Sequence, residues 1–220
     1  MHPRPVENFS STRDHLPYPR WVRWENFFDD LEGQLAAEWE AERAALDTEA
    51  ERLRLSRVTL RERLAMLVDR DRDSSVPSFD LIDGTVLSAE VTGVGADWAA
   101  LDGGRSGAMI VPFSALAAIG MPHADVLRTA RPSPARSALA ERMSLGFIAR
   151  DLVRRRIPVA IHLARGRALS GTIDRAGADH LDIALHEPGT PRRASEVTGH
   201  RIVPFCAVAW IRLEEGATLG

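Results

Sequence analysis

The stretch GTVLSAEVTGVGADW, residues 84–98, recurs without a gap as GRALSGTIDRAGADH, residues 166–180, at an offset of 82. Further on, Ile110-Val-Pro-Phe113 recurs as Ile202-Val-Pro-Phe205 at an offset of 92, so the second copy carries ten extra residues before its tetrapeptide. Small and apolar residues follow both, Ser114–Ile119 in one and Cys206–Ile211 in the other. The helical stretches ahead of the two copies also match, Ser56–Leu64 against Ser144–Leu152. Self-similarity that spans several elements is the signature of a duplicated unit.

Within a copy the pattern is that of short strands. In the second, Val159, Ile161 and Leu163 alternate with other residues, as do Leu169, Gly171 and Ile173, and then Leu181, Ile183 and Leu185. Side chains of alternate residues share one face of a strand, so these nine positions point inward. Gly171 falls mid-strand, where a missing side chain lets the strand bend sharply. Gly177 falls in a turn, where a positive φ is cheap for glycine. Pro204 ends a ladder before the turn into the last strand. The expected fold class is α+β: a long N-terminal amphipathic helix, then two tandem SH3-like, five-stranded small β-barrels, each preceded by a helix.

Helix, Gly-x-x-h-x-Gly-x-h (Gly166 to Ile173, h apolar) and Asp-x-h-x-h-x-Leu (Asp179 to Leu185) together resemble the first motif of the Sm-like superfamily, which holds the Sm, LSm and Hfq proteins. The arrangement also resembles an uncharacterised actinobacterial family. The resemblance covers two stretches of about 70 residues and implies the small-barrel fold. It does not carry RNA reading with it. Where Sm proteins place a base-contacting Asn, this chain has Asp182 in one copy and Ala100 in the other. Where their second motif has a basic turn, it has Pro204-Phe205 and Pro112-Phe113.

Outward from the copies, residues 1–20 hold four prolines and no apolar period, which predicts a flexible tail. Residues 21–70 read as one amphipathic helix, about 75 Å long if straight. Trp24, Phe28, Leu31, Leu35 and Trp39 lie on one face, and the seven-residue series Trp39, Leu46, Leu53, Leu60, Leu67 continues it. The first copy is expected over 71–120, a connector over 121–138, the second copy with its leading helix over 139–214, and a tail over 215–220.

The 220 residues are 45% hydrophobic and 27% charged, which is globular rather than disordered composition. No run approaches the roughly 20 apolar residues a bilayer requires, and no secretory signal is visible at the start, so the expected location is cytoplasmic and no membrane partner is expected. A single cysteine, Cys206, excludes an internal disulfide. The net charge of −3 comprises 28 arginines, no lysine and 31 acids.

That charge is unevenly spread. Residues 128–175 hold eleven arginines and three acids, a net of +8, with Arg154, Arg155 and Arg156 closing a helix and Arg165 and Arg167 flanking a turn. These five are the candidate nucleic-acid contacts. Residues 25–54 hold ten acids and three arginines, a net of −7, and offer the stretch an internal partner. Trp21, Trp24, Phe27, Phe28 and Trp39 are the candidate partner-binding residues. His180, Asp182 and His186 share strand parity but match no metal-ligand spacing, and no phosphate loop or nucleophile motif is visible. The expected function is a non-enzymatic interaction protein without a cofactor, binding a protein or itself through the N-terminal helix. The alternative is a nucleic-acid-associated regulator that uses the Arg-rich stretch.

Overall fold

The computed structural model describes residues 24–68, 75–131, 139–190 and 192–214. Contacts divide the chain into Met1–Ala50 and Glu51–Gly220. The expected tails, residues 132–138 of the connector and Trp21 lie outside the described residues.

The single helix expected over 21–70 is two helices. The first, α1, spans Trp24–Ser56. It is rich in Ala, Glu, Leu and Arg, which favour helix, and lacks proline. It closes with short-range bonds, Arg57 N–H to the Arg54 carbonyl at 3.2 Å and Val58 N–H to Leu55 at 3.2 Å. The second, α2, spans Leu60–Val68. Thr59-Leu60-Arg61-Glu62 is a capping box. The Thr59 N–H donates to the Glu62 carboxylate at 2.6 Å, and the Glu62 N–H donates to the Thr59 hydroxyl at 3.2 Å. The seven-residue series therefore breaks after Leu53: Leu67 is buried in the body, while Leu60 is exposed beside it.

Beyond α2 come β1 (Ser78–Leu81), β2 (Val86–Ser88), β3 (Glu90–Val94), β4 (Trp98–Asp102), β5 (Ala108–Pro112) and β6 (Leu116–Gly120). Inside the expected connector, His123–Thr129 forms the helix α3. Arg63 of α2 holds it through the Val126 carbonyl and the Thr129 hydroxyl, and Arg128 returns a bond to the Met66 carbonyl at 3.0 Å. The second half comprises α4 (Leu145–Arg155), β7 (Pro158–Leu163), β8 (Ala168–Ala176), β9 (His180–Leu185), β10 (Gly199–Pro204) and β11 (Val208–Leu213).

The architecture is α+β, with a long N-terminal helix and two sheets. All paired strands are antiparallel. One sheet has the order β2-β1-β6, the other β10-β9-β8-β7-β11-β5-β4-β3, and neither closes into a barrel. Two separate five-stranded barrels are thus not what forms. In the first half the second strand is interrupted at buried Ala89, which leaves β2 and β3 in different sheets. In the second half β8 runs unbroken, and β11 pairs with β5 to join the halves, Ile211 opposite Ile110 and Arg212 opposite Met109.

Of the nine positions expected to point inward in the second half, Val159, Ile161, Leu169, Gly171, Ile173, Leu181 and Ile183 are buried, while Leu163 and Leu185 are half-buried. The intervening Ala160, Thr172 and Ala184 are buried too, so the alternation holds only in part. Gly171 is the pivot of β8, facing Val159 of β7 on one side and Leu185 of β9 on the other. A Cβ there would collide with the Ala184 carbonyl oxygen, so the close approach of the strands excludes a side chain. Gly177 has no positive φ. Its Cβ position is instead taken up by the His180 imidazole.

Two apolar clusters result, and each draws on both halves. One joins Trp98, Ala100 and Ile110 to Leu145, Ile148, Leu152, Ile161 and Ile211. The other joins Phe79, Leu101 and Val111 to Ala209 and Trp210. Polar contacts reinforce this junction. The Trp98 indole donates to the Met143 carbonyl at 2.8 Å, and the Asp97 carboxylate accepts the Leu145 N–H at 2.7 Å.

Candidate functional site

The candidate site is the surface to which the sequence assigns partner and nucleic-acid contacts. On α1, Phe27, Phe28, Leu31, Leu35, Trp39, Leu46 and Leu53 are all exposed, Trp39 to 65%. Phe27 and Phe28 meet edge to face with ring centres 6.0 Å apart. The Trp24 backbone opens the helix, and its side chain lies outside the described residues.

The five candidate arginines are not one cluster. Arg154 and Arg155 both turn back along α4 to Asp151, Arg155 at 2.8 Å. Arg156 caps the helix in the left-handed region, with φ 53°, and its N–H reaches the Leu152 and Val153 carbonyls. Cations at a helix C-terminus also complement its dipole. Arg165 and Arg167 sit beyond the other end of β7, on the turn closed by the Gly166 N–H to the Leu163 carbonyl at 2.9 Å. Six strand residues separate the two groups, about 20 Å at 3.3 Å per residue. Arg165 and Arg167 are exposed and make no ion pair among the described residues.

The histidines separate as well. His186 is buried, bonded to the Thr172 hydroxyl at 2.9 Å and to the Glu187 carbonyl at 3.1 Å. His180 lies outside, 2.8 Å from Asp179, whose carboxyl it holds below the ordinary range. Among the described residues no three metal-ligating side chains converge. His162 was not a site candidate. It stacks on Trp210 with ring centres 3.6 Å apart, and the Trp210 indole donates to Asp83 at 3.1 Å. Burial holds the His162 pKa below its ordinary value, Arg212 adds to this, and Asp83 opposes it.

Sequence reasoning missed the strand edges β6 and β10, which, like the other two edge strands β2 and β3, are paired on one side alone among the described residues. At β6 a groove of about 330 Å3 opens, lined by Leu60, Leu64, Leu67, Leu116, Ile119 and Met121, with Arg63 as a polar member. On β10, Ile202 is 72% exposed. The signal was present: Ile202 belongs to the same tetrapeptide as Ile110, which is 0% exposed. A second, larger groove runs between β3–β5 and α4, with Ala100 and Asp151 among its walls.

Among the described residues no helix is long and apolar enough to cross a membrane. No protein-family model matches the chain, and no curated protein or solved structure is detectably similar to it.

Proposed function

We propose that the protein is a non-enzymatic interaction protein, with a duplicated Sm-like module as its body and α1 as its associating arm. The outward apolar stripe of α1 carries this reading. Trp39, Leu46 and Leu53 repeat every seven residues, the spacing of a coiled-coil seam. Burying each against a partner helix is worth about 1.5–3 kcal/mol. The pairing order supports the duplicated module: β1 lies between β2 and β6 as β7 lies between β8 and β11, and β4 lies between β3 and β5 as β9 lies between β8 and β10. Asp182 and Ala100 in place of base-reading Asn favour a protein partner over RNA.

Light scattering on the full chain, across concentration and salt, tests the arm. Two α1 helices each carry a net of −7 over residues 25–54, so self-association tightens as salt screens that repulsion. Leu35→Glu with Trp39→Glu abolishes the component that α1 supplies. Association unaffected by those substitutions, or a monomer under all conditions, overturns the role of α1.

Exposed Arg165 and Arg167 favour the alternative, a nucleic-acid-associated regulator, which has the opposite salt dependence. Binding to single-stranded RNA or duplex DNA would weaken steeply as salt rises. It would fall further with Arg165→Gln and Arg167→Gln than with Arg154→Gln, because Arg154 is already paired. No binding at low salt removes this alternative.

A further inference from the structure

The apolar seam of α1 changes position at the middle of the helix. Written as a seven-residue repeat with seam positions a and d, Trp39, Leu46 and Leu53 are a, and Phe28 and Leu35 are d. In the N-terminal half of the helix d is thus apolar, while a is Glu25 and Glu32. In the C-terminal half a is apolar, while d is Glu42 and Glu49. All five apolar seam residues are exposed. Charge divides at the same place. Residues 24–40 hold six acids and no base, a net of −6, and residues 41–56 hold four acids and three arginines, a net of −1.

We propose that α1 pairs with α1 of a second copy in antiparallel, which makes a two-fold symmetric dimer. The inference rests on reading α1 as the associating arm, and it names the partner and the orientation. In an antiparallel pair position a of one helix faces position d of the other, so each half meets the half that complements it. One register sets Leu53 opposite Phe28 of the second copy and Leu46 opposite its Leu35, and lays Trp39 over the aliphatic stem of its Glu42. A parallel pair in register sets every seam residue against its own twin. Glu25, Glu32, Glu42 and Glu49 would each face a like carboxylate, whereas in the antiparallel register only Glu32 and Glu49 meet across the seam. The net charges decide in the same direction. A parallel pair opposes −6 to −6 at one end, and an antiparallel pair opposes −6 to −1 at both ends. Coulomb energy follows the product of the facing charges, so about a third of the repulsion is left. On the flanks a parallel pair gains Glu38 beside Arg43 of the second copy, but Arg52 beside its Arg57 offsets that gain.

Disulfide trapping in the full chain tests it, with Cys206→Ser removing the one native thiol. A chain carrying Phe28→Cys is mixed with an equal amount of a chain carrying Leu53→Cys under mild oxidation. The antiparallel pair holds these two thiols together, and the mixed disulfide exceeds either symmetric one about tenfold. Symmetric disulfides in excess of the mixed one show a parallel pair, which overturns the inference and leaves α1 standing as the associating arm. A yield no greater than when Leu35→Glu and Trp39→Glu are added to both chains also overturns it. If light scattering then shows a monomer at every concentration, the associating arm falls as well. A spin label on Ser56→Cys leaves the seam intact and reads the orientation a second way. The antiparallel register places the two labels about 45 Å apart by the helical rise, and a parallel pair places them within about 15 Å, close to the interaxial distance. The longer separation supports the inference, and the shorter one overturns it.

Discussion

Ile110 and Ile202 occupy the same place in the same four-residue motif, yet one is wholly buried and the other largely exposed. Burial of a strand residue is set by which strand lies alongside, and no local pattern encodes that partner. The same gap separates His162 from the other histidines. As a residue in a strand it is unremarked, but the β7–β11 pairing brings it face to face with Trp210. Its consequence is a pH dependence with a definite sign. Burial first, and the Arg212 charge second, disfavour the imidazolium in the folded state, whereas the unfolded chain takes up a proton near the ordinary value of about 6.5. The unfolded state then binds more protons between the lowered pKa and 6.5, so stability falls as pH descends through that window. His162→Phe keeps a ring on Trp210 and removes the titration. Thermal melts from pH 8 to pH 5 are expected to show a shallower acid loss in the variant. Parallel loss in both chains would exclude His162 as its source.

Among the elements, α1 and α2 show what a strong periodicity can hide. Leu53, Leu60 and Leu67 continue a seven-residue series, and that series reads as one helix. Thr59 and Glu62 carry the opposing signal, a capping box in mid-pattern, which was fully legible in the sequence. The box also lowers the Glu62 pKa, chiefly through the Thr59 N–H and then its hydroxyl. Because α2 has only nine residues, its first turn is a large share of it. Thr59→Ala is expected to cost about 1 kcal/mol, read as a lower urea midpoint at unchanged slope, with Thr59→Ser restoring most of the loss. Equal midpoints for all three chains would mean that packing of Leu64 and Leu67 alone fixes the helix start. The helix α3 was less legible, because a stretch with Pro122 and Pro132 at its borders reads as a connector. Its seven residues are held by Arg63, which reaches across from α2, and by its own Arg128, which reaches back to the Met66 carbonyl.

Across the whole body, the duplicated strand pattern was legible but the joint was not, because β11 meets β5 rather than closing on its own half. Ala209 and Trp210 consequently pack with Phe79, and Ile110 packs with Leu145 and Ile148. Neither half has a complete apolar cluster of its own, and units of about 70 residues are marginal alone. Phe79 decides whether the halves unfold together. It is fully buried in the first half and touches the second only through their common cluster. Phe79→Ala is expected to cost about 3–5 kcal/mol. If the body opens as one cooperative unit, hydrogen exchange must accelerate in β9 as much as in β4, although no β9 residue belongs to the Phe79 cluster. If the first half opens alone, protection at Leu181 and Ile183 stays at its native level while that at Ala99 and Leu101 collapses. The eight-stranded sheet runs from β3 to β10 through the β5–β11 pair, and a fracture there would expose Ile110, Ile211 and Trp98 to water at once. That cost makes the common transition the expected outcome.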